Sequence, residues 1–151
     1  MFNDYKIKRM DTTKYTDRLY KEWSQHGKIV IAVDYDSTIS YWPTIDNKED
    51  IDRTISILQV AANTGAYIVI NTCSKPDRHE EIQKHCEQLR IPINGINVNP
   101  IDLPYGKHGK VYANIYLDDR AGLLQSLDIL ETAMYKKRGD DMSKQTLGEH
   151  V

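Results

Sequence analysis

A chain of 151 residues with a formal charge of −2 and 40% apolar residues, ten tyrosines counted among them, is long enough for one domain with a real core and too short for a core plus a large second lobe. The near-balanced charge demands neither nucleic acid nor membrane as a partner, and the apolar content lies far above that of disordered chains. No apolar run approaches the roughly 20 residues that span a bilayer, and MFNDYKIKRMDTTK at the N-terminus lacks the apolar core of a signal peptide, so the expected compartment is the cytoplasm.

The first expected element is a helix over Thr12 to Gln25, with Tyr15, Leu19 and Trp23 one turn apart and threonines placed to cap its start. Lys28 to Val33 follows, a β-rich run without alternation, which marks a strand buried on both faces of a parallel sheet. An irregular segment, Ser37 to Asn47, holds Tyr41, Trp42 and Pro43 and leads into a helix with the stripe Ile51, Ile55, Leu58 and Ala62, closed by Gly65.

The second strand is Ala66 to Asn71, and Pro76 stands where the first turn of a further helix begins, with Ile82, Cys86 and Leu89 on its inner face. A short strand, Ile96 to Val98, precedes a loop from Asn99 to Gly109. Val111 to Leu117 is the last buried strand, and a helix from about Ala121 to Tyr135 turns Leu123, Leu127, Leu130 and Met134 inward. Residues 1–27 thus form an N-terminal helical extension, 28–136 the main domain and 137–151 a polar, flexible tail. Cys73 and Cys86 have no metal or redox spacing and are expected to be buried as small apolar residues.

Strands alternating with helices specify an α/β fold, a mainly parallel sheet with right-handed crossovers and helices on both faces. In such sheets ligands bind beyond the carboxyl ends of the strands. The first strand ends in Asp34, the second in Asn71 and Thr72, and the last in Asp118 and Asp119. If the backbone stays extended past Val33, Asp34 and Asp36 point to one side and Tyr35 to the other. Carboxylates gathered in this way repel one another unless a cation sits among them, and hard oxygen ligands favour Mg²⁺.

These residues resemble the haloacid dehalogenase superfamily of phosphohydrolases, whose first motif is an apolar strand followed by DxDxT, here Asp34-Tyr35-Asp36-Ser37-Thr38. Thr72 after YIVIN matches the second motif, Lys110 in GKVYANIYLDDRA looks like the third, and Asp118-Asp119 matches the fourth. The resemblance covers about Lys28 to Leu130 and is closest to small members without a cap domain. The chain departs from them at Ser74, where an arginine is usual, and at Asn114, where an acid is common.

The resemblance implies a Rossmann-like fold and a Mg²⁺-dependent phosphatase. Asp34 would be the nucleophile and Asp36 the acid/base, and Thr72 and Lys110 would bind the phosphoryl group, with Lys107 as a rival to Lys110. The metal would be held by the Asp34 carboxylate, the backbone carbonyl of Asp36 and the Asp118-Asp119 pair, with Asp119 favoured as the direct ligand. The spacings leave no room for a cap, so the expected site is open, suited to a nucleotide, a nucleic-acid end, a phosphoprotein or another phosphate ester, or covered by a neighbouring subunit or the N-terminal helix. Tyr41 and Trp42 either stack on substrate or pack the loop. A non-catalytic phosphate-binding module and a phosphotransferase are the alternative functions.

Overall fold

The computed structural model describes residues 11–100 and 109–149. Helix α1 (Thr13–His26) ends at Gly27, whose left-handed backbone lets its N–H reach the Trp23 carbonyl at 2.8 Å. Strand β1 (Val30–Val33) follows, then α2 (Lys48–Asn63), β2 (Tyr67–Ile70), a 3₁₀ turn at Pro76–Arg78, α3 (His79–Gln88), β3 (Gly95–Ile96), β4 (Ile115–Leu117) and α4 (Leu123–Glu149). The four strands among the described residues are parallel, in the order β3-β2-β1-β4.

Alternation along the strands explains the layering. Ile31 and Val33 of β1, Ile68 and Ile70 of β2, and Ile115 and Leu117 of β4 share one core with apolar residues from every helix, among them Trp23, Leu58, Ile82 and Leu127. Val30, Ala32 and Val69 point the other way and meet Val111 and Ala113, with Tyr67 and Tyr116 at the margin. Among the described residues the helices therefore lie on one face, where both faces were expected to carry them. The cause is the link from β3 to β4, which contains no described helix, so strand, loop and tyrosine side chains cover the second face.

Helix boundaries follow local chemistry. Asn47 caps α2, its Oδ1 accepting the N–H groups of Glu49 and Asp50 at 2.9 and 3.2 Å. The buried side of α2 is Ile51, Thr54, Ile57, Leu58 and Ala61, so Ile55 and Ala62 of the expected stripe lie at its edge. Thr64 is the C-cap, and Gly65 follows with φ of +93°. A Cβ on Gly65 would stand 2.7 Å from the Gly27 carbonyl oxygen, so both the backbone and the close approach require glycine there.

Both ends of the described chain pack against the domain. In the N-terminal helix Trp23 is fully buried and its indole N–H donates to the Thr64 carbonyl at 3.0 Å. The last helix continues to Glu149 through residues expected to form a polar tail. Its second half is tied to α1 by the Tyr20 hydroxyl, which donates to Asp140, and by the Lys136–Asp17 ion pair at 3.6 Å. Cys86 is buried as expected, whereas Cys73 is exposed because it follows β2 into the loop. No helix of the described residues is long and apolar enough to cross a membrane.

Candidate active site

Strand order reverses between β1 and β4: the chain moves outward from β1 through β2 to β3, then returns to the other side of β1. In open parallel sheets such a switch point opens a crevice beyond the carboxyl ends of the strands. Asp34 follows β1 directly and its N–H donates to the Leu117 carbonyl at 2.8 Å, which locks the ends of β1 and β4 together. Asp118 and Asp119 follow Leu117. One oxygen each of Asp34, Asp118 and Asp119 lies within 4.8 Å of the others.

Thr38 holds this group in register. Its side chain is fully buried. The hydroxyl accepts the Asp119 N–H at 3.2 Å and lies 3.3 Å from Asp34 Oδ2 and 3.4 Å from Asp119 Oδ1, with one proton to give. Asp118 is oriented by its own turn, its Oδ1 accepting the Arg120 N–H at 2.8 Å. Burial pushes the Asp34 carboxyl up to about 7; its hydrogen bond to Asp119 and the negative charges of Asp118 and Asp119 add to the rise, and the Tyr35 N–H opposes it. The Asp34, Asp118 and Asp119 carboxylates could together hold a metal ion, and hard oxygen donors of this kind fit Mg²⁺.

The turn after Asp34 is compact. The Tyr35 carbonyl accepts the N–H groups of Thr38, Ile39 and Ser40, and Ser37 takes a positive φ of 62° to close it. Asp36 still makes a parallel bridge to Ser40, and the turn proper begins at Ser37. The Asp36 carboxylate does not join the three-acid cluster; its Oδ2 lies 3.4 Å from Arg78 Nη1, and its Oδ1 is buried without a hydrogen-bond partner. Tyr35 points away as expected and is 3% exposed, its hydroxyl 2.6 Å from His85 Nδ1.

Thr72 lies just beyond β2. Its Oγ1 accepts the Ser74 N–H at 3.1 Å, and no acceptor among the described residues takes its proton. Asn97 grips the Thr72 backbone on both sides, accepting its N–H at 2.8 Å and donating to its carbonyl at 2.8 Å. Lys110 is exposed, with its ammonium 5.1 Å from the centre of the Tyr116 ring; Lys107 lies outside the described residues. After Asp34, Tyr35 and Ile39 are buried while Tyr41 and Trp42 are 38% and 49% exposed, so the two latter rings do not fill the loop. A groove of about 500 Å³ runs from Ser37 and Asp119 between the irregular segment before α2 and the start of α4, past Ile45 and Leu124.

Three contributors owe their place to tertiary contacts. Thr38 belongs to the DxDxT motif, but its function comes from a residue 81 positions away. Asn97 resembles any loop asparagine. Arg78, near a strand end like Lys75 and Arg120, reads in sequence as either a contact to a second phosphate or a solvated base; it reaches both Ser74, at 2.9 Å, and Asp36. Asn114, where the resemblance expects an acid, is structural: its Oδ1 accepts the Val30 N–H at 2.7 Å and its own N–H donates to the Val30 carbonyl at 2.8 Å, tying β4 to β1.

Comparison with protein-family models, with curated proteins and with solved structures gives no significant match for this chain.

Proposed function

We propose that the protein is a Mg²⁺-dependent phosphomonoesterase of the haloacid dehalogenase type, without a cap domain, with Asp34 as nucleophile. The observation that carries this reading is the meeting of Asp34 with Asp118 and Asp119 at the strand-order switch point. Asp34, Asp118 and Asp119, with the backbone carbonyl of Asp36, are the proposed metal ligands. A divalent cation bound there would neutralise the phosphoryl oxygens and the negative charge of the cluster.

An Asp34 oxygen attacks phosphorus in line with the ester bond, and the bond from phosphorus to the leaving oxygen breaks as the aspartyl-phosphate forms. Asp36 gives its proton to that leaving oxygen. Water then attacks the aspartyl-phosphate and passes a proton to Asp36, which returns Asp34 as a carboxylate and releases inorganic phosphate. The Thr72 hydroxyl, with its proton unclaimed among the described residues, and the Lys110 ammonium are assigned to the phosphoryl oxygens, a positioning and electrostatic task. The expected substrates are phosphate monoesters, from nucleotides to macromolecular ends, in the cytoplasm, with a second copy of the chain as one candidate cover for the open site.

The test is hydrolysis of a broad panel of phosphate monoesters by the wild type and by Asp34→Asn, with Mg²⁺ and with EDTA. Turnover that needs both Asp34 and Mg²⁺ supports the proposal. A folded protein that turns over no ester on the panel contradicts it.

A further inference from the structure

Arg78 closes the 3₁₀ turn Pro76–Arg78 and stands immediately before α3. Three contacts hold its guanidinium. Nη1 donates to Ser74 Oγ at 2.9 Å and lies 3.4 Å from Asp36 Oδ2, and the guanidinium carbon sits 5.9 Å from the centre of the Tyr35 ring. The ring is itself fixed, being buried and bonded to His85. The group is thus pre-positioned before any ligand arrives, which lowers the entropy lost on binding.

As an ion pair the contact with Asp36 is poor. It is a single N···O approach of 3.4 Å between side chains 39% and 41% exposed, the kind of pair that adds little to stability. A guanidinium carries five N–H donors in a fork suited to phosphate oxygens, and among the described residues its hydrogen bonds engage Nη1 alone. Asp36 is likewise incompletely used, its buried Oδ1 having no partner. A guanidinium loosely paired with one aspartate and holding further N–H donors can take a third group that bears acceptor oxygens.

We infer that Arg78 binds the phosphoryl group of the substrate directly, as a cation on the β2–α3 side of the site that acts with Thr72. This rests on the phosphatase reading of Asp34 and Asp36. If Asp36 serves the leaving oxygen, the non-bridging oxygens on the same phosphorus come within the span of a guanidinium already beside Asp36. Thr72, Ser74 and Arg78 then act as one device: Thr72 Oγ1 holds the Ser74 N–H, and Ser74 Oγ holds Arg78.

Binding of inorganic phosphate in the presence of Mg²⁺, measured by titration calorimetry on the whole chain, tests this without requiring turnover. Arg78→Ala is expected to weaken phosphate binding about tenfold or more, and Arg78→Lys to recover part of it, because a point charge replaces a two-pronged donor. Lys84→Ala, which removes an exposed cation of α3 that pairs with Glu80, is the control and should stay within about twofold of wild type. The KM for an aryl phosphate should rise in parallel with the phosphate dissociation constant in Arg78→Ala. Phosphate affinity in Arg78→Ala within about twofold of wild type would overturn the inference, as would an equal loss in Lys84→Ala. Asp34→Asn separates the two claims: full turnover in that variant sinks the phosphatase reading, whereas unchanged phosphate binding in Arg78→Ala sinks only the role of Arg78.

Discussion

The Thr38 hydroxyl accepts the backbone N–H of Asp119 at 3.2 Å, joining the turn after β1 to the turn after β4. Because Thr38 is fully buried, removing the hydroxyl leaves that N–H without a partner and frees two carboxylates that share the same proton donor. Thr38→Val is therefore expected to cost about 1–3 kcal/mol of stability, and Thr38→Ser, which keeps the hydroxyl, about 1 kcal/mol for one lost buried methyl group. Urea denaturation gives both values. Under the phosphatase proposal, hydrolysis should fall by about tenfold or more in Thr38→Val and survive in Thr38→Ser.

The raised pKa of Asp34 makes the stability of the metal-free protein depend on pH. Its ordinary value is 3.8 and its folded value about 7, so between these pH values the unfolded chain has released a proton that the folded chain keeps. Folding is favoured by this group at low pH, and the advantage is lost as pH rises toward 7. A cation among Asp34, Asp118 and Asp119 removes the penalty by favouring the ionised form. The rise in thermal midpoint caused by Mg²⁺ should accordingly be larger at pH 8 than at pH 5.5, and Asp34→Asn should flatten that difference. Equal Mg²⁺ shifts at both pH values would contradict the metal assignment.

Asn97 combines a positive φ of 55° with a two-sided grip on the Thr72 backbone. Asparagine tolerates this conformation better than alanine, and glycine better than either. Asn97→Ala should lose both hydrogen bonds and meet backbone strain, about 2–3 kcal/mol in all, while Asn97→Gly should lose only the bonds. Chemical denaturation is expected to rank wild type above Asn97→Gly and Asn97→Gly above Asn97→Ala; an alanine variant as stable as wild type would refute the grip.

Trp23 and Trp42 should behave oppositely. Trp23 is wholly buried and bonded to Thr64, so Trp23→Ala is expected to cost about 3–5 kcal/mol. Trp42 is half exposed, and its turn is held by main-chain contacts and by Asp46 Oδ2, which accepts the Trp42 N–H at 2.7 Å. Trp42→Ala should change stability by no more than about 0.5 kcal/mol. Any rise in KM for a bulky ester in that variant would then report substrate contact.

The parts of this molecule that were legible in sequence were those set by short-range pattern. The unbroken apolar run before Asp34 marked a strand buried on both faces, and the spacing of Leu123, Leu127, Leu130 and Met134 marked the inner face of α4, all four being buried. The acids at strand ends were visible because a parallel sheet collects its carboxyl ends on one edge. What sequence hid was tertiary. Nothing local shows that Val111 and Ala113, rather than a helix, cover the second face of β1, or that Tyr116 donates its hydroxyl to the Val111 carbonyl at 2.6 Å to finish that edge. The polar run after Tyr135 is helical because α1 lies beside it, a neighbour more than a hundred residues away in the chain. Asp36 and Arg78 meet because the chain after β2 returns Arg78 to the turn that follows β1, a contact between residues 42 positions apart that alternation along a strand cannot foresee.

Hydrolysis of an aryl phosphate by purified wild type and Asp34→Asn, side by side in Mg²⁺ and in EDTA, tests the central claim most directly. The account predicts Mg²⁺-dependent release of inorganic phosphate by the wild type, abolished by EDTA and reduced by about a thousandfold or more in Asp34→Asn, with the fold intact by circular dichroism. Wild-type turnover in Asp34→Asn, or turnover indifferent to EDTA, would contradict it.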